Sequence, residues 1–190
     1  MDLREKLNQI DNQTLYFNLI LTQLVLFLTG FILYFLFLRK TLPITILYHV
    51  QDLEKNVVIG ILFAVGVIVV DVLCMKFLPK HYFDDGGVNE RLFRDINPFQ
   101  IALIALLVSF VEEWLFRGIL QNLIGIVGAS VIFAVIHYRY FRHWLYASII
   151  ILLSFGFGFL YEWSGSLWTV ISAHFVIDFC LGLMIRYKYL

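Results

Sequence analysis

The sequence predicts an all-α, polytopic membrane helix bundle of about six transmembrane helices, and three observations carry that prediction. The 190 residues are 61% hydrophobic and 15% charged, with a mean hydropathy of +0.86. Soluble domains hold about 45–50% apolar and about 25% charged residues. Residues 15–38 run for 24 positions without one Asp, Glu, Lys, Arg or His, long enough as a helix to cross about 30 Å of hydrocarbon. Similar apolar runs recur toward the C-terminus, separated by short segments that collect Pro, Gly and charge.

The first helix is expected over residues 15–38. It lacks a small-residue cleavage site and exceeds a signal-peptide core, so it is read as retained. The second, over 57–78, is stopped by Pro79, which cannot continue a helical hydrogen-bond ladder. Residues 80–97 are polar and partly amphipathic, with Asp84-Asp85-Gly86-Gly87 as a turn. Pro98 suits the first turn of a third helix, capped by Asn97 and running to about residue 123. A short fourth helix, 125–138, carries Gly125, Gly128, Ala129 and Ser130, small residues that favour close helix contact. The fifth and sixth cover 143–163 and 167–187, with Ser166 as the cap of the last. One domain is expected in two parts: residues 1–97, two spans and a polar loop, then 98–190, a four-span core.

Charge narrows the class and sets the orientation. Fourteen basic residues balance fourteen acidic ones, so no basic surface argues for nucleic acid. With both termini cytoplasmic, Arg4, Lys6, Lys80, Arg91, Arg94, Arg139, Arg142, Arg186 and Lys188 fall inside, against Arg39, Lys40 and Lys55 outside. That asymmetry is the one membrane insertion favours. Cys74 and Cys180 both lie in apolar stretches and read as packing residues.

The third helix carries the chemistry. Residues 101–120 contain twelve Ile, Leu, Val or Phe, which favour insertion by about 4–7 kcal/mol. Glu112, Glu113 and Arg117 near its centre oppose that by about 8–10 kcal/mol on the same scale. The helix therefore needs partners, and later helices supply imidazoles: His137 at the end of the fourth, His174 with Asp178 on the sixth. Glu113 and Arg117 are four apart, about 40° around a helix, in the favourable order for an ion pair. Glu112 points about 100° away from Glu113 and can face another neighbour. His174 and Asp178, also four apart, share one face. Ionisable groups at this depth face a bundle interior and mark function. Each also has a structural reading: an ion pair, an interfacial histidine, a local hydrogen bond.

Other residues read as structural. Asp71 in the second span is expected to snorkel or to pair with Lys76, and Trp114 and Trp168 to pack. Gly156 and Gly158 suit close helix packing, and the charges from Asp84 to Arg94 a solvated loop face. His49, His81 and His143 have no evident partner.

Together these residues resemble a known family. Glu112-Glu113-Trp114-Leu115-Phe116-Arg117 is similar to the EExxxR motif of the CAAX-protease and bacteriocin-processing family, also called Abi. Phe133 to His137 resembles its FxxxH motif. His174-Phe175-Val176-Ile177-Asp178 resembles its HxxxN or HxxxD motif, preceded by Ser166-Leu167-Trp168. The resemblance covers residues 97–187, and the first two spans contribute nothing to it.

The resemblance implies an intramembrane endopeptidase of a multi-pass protein, here of a prokaryotic plasma membrane. It implies that Glu112 activates a water with help from His137, that His174 and Asp178 stabilise the oxyanion or position the water, and that Glu113 and Arg117 order the site. The implied partner is a peptide or protein at the bilayer, lipidated or not, with no cofactor. The eukaryotic branch trims prenylated CAAX proteins, whereas prokaryotic relatives are linked to peptide maturation, bacteriocin immunity and signalling. Asp178 stands where the prenyl-protein proteases carry Asn, and an ionised Asp accepts but does not donate a hydrogen bond. Two alternatives remain open. His137, His174 and Asp178, with Glu112, could hold a catalytic zinc, although no HExxH motif is present. Or the cavity binds a peptide or partner without cleaving it, as a membrane immunity or signalling regulator would.

Overall fold

The computed structural model describes residues 9–48, 50–83 and 85–189. Of the residues weighed above, Arg4, Lys6, His49 and Asp84 lie outside them, as does the side chain of Lys80. Among the described residues there is no strand. The protein is an all-α membrane bundle.

Helix α1 (Asn12–Leu33) starts where Asp11 accepts a hydrogen bond from the Thr14 amide, and continues as a π-helical turn, Tyr34–Leu38. A short α2 (Ile44–Tyr48) precedes α3 (Leu53–Phe77), which ends as Leu78 turns extended before Pro79. A 3₁₀ turn and α4 (Val88–Phe93) make up the polar connection. Helix α5 (Pro98–Glu113) opens with the expected Asn97 cap, reinforced by Gln100 returning a hydrogen bond to the Asn97 amide. It runs into a seven-residue π-helix, Trp114–Leu120, and then α6 (Gln121–Ile136). A 3₁₀ turn, Tyr138–Arg142, leads to α7 (Trp144–Ser164), ended by left-handed Gly165. Last comes α8 (Leu167–Arg186), where Ser166 accepts from the Trp168 amide as anticipated.

Five helical stretches are long and apolar enough to span a membrane, with Pro98–Ile136 counted as one run of 39 residues that holds both the third and the fourth of the expected helices. That run is folded back on itself. As a straight helix it would hold Phe116 and Phe133 about 25 Å apart, yet their rings meet edge to face at 5.0 Å. The reversal occurs at Gly125, with φ 75° and ψ 171°, a region essentially closed to other residues. The arm beyond it, 126–136, is only about 16 Å long, half the hydrocarbon thickness. The predicted fourth helix is this short returning arm, and the 3₁₀ turn after it reaches the 80–97 connection, where Arg139 contacts Asn89. A Cβ at Gly125 would meet nothing within 4 Å, so Gly125→Ala tests conformation alone. It is expected to cost about 1–3 kcal/mol of stability, read as a lowered Tm.

Two ends of the bundle can be told apart by their contacts. At one, Arg91 bonds to the Ile10 carbonyl, Arg186 to the Arg94 carbonyl at 2.9 Å and Arg139 to Asn89 at 3.3 Å. This end gathers both described chain ends, the 80–97 connection and the 3₁₀ turn after α6; we call it the terminal end. At the far end Ser166 donates to the Tyr48 carbonyl at 3.0 Å, and Tyr48 packs on Trp114 and Trp168. Burial pushes the Tyr48 phenol up to about 12, so this aromatic cap is uncharged. Trp114 and Trp168 are packing residues, as expected.

Helices α3 and α8 are in close approach where α3 presents Gly60. A Cβ there would collide with the Thr169 carbonyl and the Ser172 hydroxyl. Gly60→Ala must push α8 and its His174 aside, whereas nothing lies within 4 Å of a Cβ at Gly66. We expect Gly60→Ala to cost about 1–3 kcal/mol and Gly66→Ala almost nothing, measured by thermal unfolding in the same detergent.

Candidate active site

The site is assembled around the junction of α5 with its π-helix. A π-helix is rare and accumulates at functional sites; its wide turn also frees carbonyls that need other donors. Asn122 supplies them, its amide donating to the carbonyls of Arg117 at 3.1 Å and Gly118 at 3.0 Å. Gln121 donates across to the Gly158 carbonyl at 2.9 Å, fixing the π-helix against α7.

The two adjacent glutamates lead separate lives. Glu113 is completely buried, and its Oε1 lies 2.8 Å from His174 Nδ1. Its Oε2 lies 3.3 Å from Arg117 Nε, an ion pair without the alignment of a hydrogen bond. The Arg117 guanidinium donates to the Ser154 carbonyl at 2.9 Å and to its hydroxyl at 3.2 Å. It sits over the Phe133 ring at 4.7 Å and the Phe157 ring at 5.5 Å, cation–π contacts that strengthen when water is excluded. Phe157 also stacks on His174 at 5.2 Å. The other ring nitrogen, Nε2, is 3.4 Å from Asp178 Oδ2. An imidazole between two carboxylates donates to both only as the cation, because the neutral ring has a single N–H.

Glu112, one residue earlier, turns to a different pair. Its Oε2 faces His137 Nε2 at 3.9 Å, and its Oε1 accepts from Gln23 Nε2 at 3.3 Å. The His137 ring is fixed from behind: Nδ1 sits 2.8 Å from the Phe133 carbonyl, and the ring stacks on Phe133 and Tyr140. With Nδ1 as donor to that carbonyl, Nε2 is left as the acceptor facing Glu112. Glu112 is nearly buried at 8% side-chain exposure, His137 more open at 20%.

All six predicted residues therefore have a place. Glu113, Arg117, His174 and Asp178 form one connected chain, and Glu112 with His137 forms a second. Among the described residues no three His, Cys, Asp or Glu side chains group to hold a metal. The proposed zinc set is not assembled: His174 and Asp178 face each other, while His137 faces Glu112. Of the two readings of Asp71, the pair with Lys76 is not formed among the described residues, the Lys76 ammonium lying over Phe77 at 5.8 Å.

Sequence reasoning missed Gln23 and Ser154. Gln23 is a buried amide in a helix whose neighbouring side chains are lipid-exposed; an amide amid an apolar run was the available signal. Ser154 left none, because one serine in an apolar helix is unremarkable in sequence.

A cavity of 1090 Å³ opens beside the site, bounded by α3, α7, α8 and the 80–97 connection. Of the six predicted residues only Asp178 lines it, though Tyr140, which stacks on His137, lines it too.

The family model for type II CAAX prenyl endopeptidase Rce1-like proteins matches residues 95–180. The chain is also 36% identical over 169 residues to the uncharacterized protein YpbD of Bacillus subtilis (strain 168), covering 89% of each chain. The chain belongs to the CAAX-protease and bacteriocin-processing family. No solved structure matches it. The CAAX-protease model spans every motif residue from Glu112 to Asp178, and Gln23 reaches Glu112 from outside that region. Membership of the CAAX-protease family places the protein, at family level, among membrane-embedded endopeptidases acting on peptide or protein substrates at the bilayer.

Proposed function

We propose that the protein is an intramembrane endopeptidase that hydrolyses a membrane-proximal peptide or lipidated protein with a water activated by Glu112. The supporting observation is the division of labour between the glutamates. Both oxygens of Glu113 are engaged, by His174 and Arg117, whereas Glu112 Oε2 and His137 Nε2 stand 3.9 Å apart. That gap is too long for a direct hydrogen bond, yet a water placed off the axis reaches both atoms at about 2.8 Å. Glu112 takes the proton of this water as its oxygen attacks the scissile carbonyl. The C–N bond then breaks as Glu112 or His137 returns a proton to the leaving amine. His174 and Asp178 position the carbonyl from the other side, held in place by Glu113 and Arg117. No metal has a role in this scheme, and metal analysis of the active purified protein tests that.

We further propose that the terminal end faces the cytoplasm of a prokaryotic plasma membrane. It carries Arg91, Arg94, Arg139, Arg142, Arg186 and Lys188 against Arg39, Lys40 and Lys55 at the far end. Reporter fusions after residue 190 read the side directly.

The test of function compares host membranes expressing wild type or Glu112→Gln, reading new peptide termini by mass spectrometry. Termini that appear only with wild type support hydrolysis and identify the substrate. Matching profiles, under conditions where the protein acts, favour a binding or immunity role.

A further inference from the structure

The 1090 Å³ cavity has a shape and a charge that the catalytic groups leave unexplained. Helices α3 and α7 touch where Phe63 meets Phe157 at 5.8 Å and a Gly156 Cβ would meet Phe63. Toward the terminal end they diverge. Val72 and Met75 of α3 then face Ile149 and Leu153 of α7 across a cleft floored by Ile177, Asp178 and Leu181 of α8. His81, Phe83 and Asn89 of the polar connection roof its mouth.

Asp71 projects into this cleft from α3. Among the described residues it has neither a hydrogen-bond nor an ion-pair partner. The other charges lining the cleft are engaged or lie at the mouth. Asp178 contacts His174, Asp85 accepts from the Gly87 and Asn89 amides, and Arg94 pairs with Glu90 and Asp95. Lys76, His81 and Lys188 stand at the rim and are exposed. An aspartate at membrane depth costs about 2.5–3.5 kcal/mol on insertion scales unless something compensates it.

Register places Asp71 relative to Asp178. Gly60 faces residues Thr169 to Ala173 of the parallel α8, so Asp71, eleven residues on, is level with about residue 182. It lies one helical turn, about 6 Å, closer to the mouth than Asp178. That interval matches about two residues of extended chain.

We propose that this cleft is the substrate-binding groove and that Asp71 selects a Lys or Arg side chain on the mouth side of the scissile bond. The proposal rests on the endopeptidase reading for its substrate, a polypeptide segment. The apolar walls take the segment's hydrophobic side chains, and its ammonium or guanidinium supplies the counter-charge that Asp71 lacks.

The test separates binding from hydrolysis. Full-length Glu112→Gln protein, in nanodiscs of phosphatidylglycerol, which carries no amine, is titrated with a labelled apolar peptide bearing one Lys and with its Gln counterpart. The Lys peptide should bind about tenfold tighter or more. Asp71→Asn should remove that preference and Asp71→Glu keep it, with folding of each checked by circular dichroism. Equal affinity for both peptides, or a preference unchanged in Asp71→Asn, overturns the proposal. Binding that follows Asp71 upholds it even where wild type shows no cleavage, an outcome that would sink only the hydrolytic reading. Where wild type does cleave, Lys or Arg should be enriched on one side of the cut, and Asp71→Asn should raise KM with kcat little changed. A cut-site profile without basic residues counts against Asp71.

Discussion

Glu112→Gln is expected to lower kcat on the identified substrate by about 10²–10⁴-fold, the range contributed by a positioned general base. KM and stability should stay near wild type. The substitution nearly preserves shape, and Gln can still accept from Gln23, which holds Glu112 Oε1 at 3.3 Å. What it removes is the basic oxygen facing His137. Glu113→Gln makes the contrast, because that carboxylate sits between His174 and Arg117 at zero exposure. Its loss should appear first in folded yield. His137→Ala should share the kinetic defect without the folding defect. Turnover at the wild-type rate from Glu112→Gln would remove this glutamate from the chemistry, and equal stability losses at both glutamates would undo the division of labour.

Arg117→Met is expected to destabilise the protein by about 3–5 kcal/mol, because it leaves the Glu113 carboxylate buried without its cation. Adding Glu113→Gln should recover most of that loss, since Gln can still accept from His174 while carrying no charge. The sign of the double mutant follows from desolvation: removing both charges can be neutral, whereas removing one is costly. Arg117→Lys should not substitute, because an ammonium cannot span Glu113 and Ser154 together or spread over Phe133 and Phe157 as the planar guanidinium does. Reversible unfolding in mixed micelles measures all three variants. A wild-type midpoint for Arg117→Met would show that the pair carries no structural weight.

The sequence by itself determined the membrane class, the span positions to within a few residues, and the local signals at their ends. Asn97 before Pro98, Ser166 before Leu167 and Leu78 before Pro79 are choices made within a few residues of chain, where capping and proline sterics act. It also exposed the ionisable residues, because charge in an apolar run is conspicuous, and the i,i+4 spacing of Glu113 with Arg117 and His174 with Asp178 survives as contacts. The break between the third and fourth helices at Gly125 was legible as well, but the partners that sort Glu112 and Glu113 into two networks could not be read that way. They depend on which helix stands opposite, through contacts such as Gln23 to Glu112, 89 residues apart, and His174 to Glu113, 61 apart. Asp71 shows the same limit from the other side. Its place in the second span suggested snorkelling or a pair with Lys76, and only the divergence of α3 from α7 gave it a cleft to line. Local rules fix what a segment becomes; packing over long sequence separations fixes which of its faces meets a partner, a cavity or lipid.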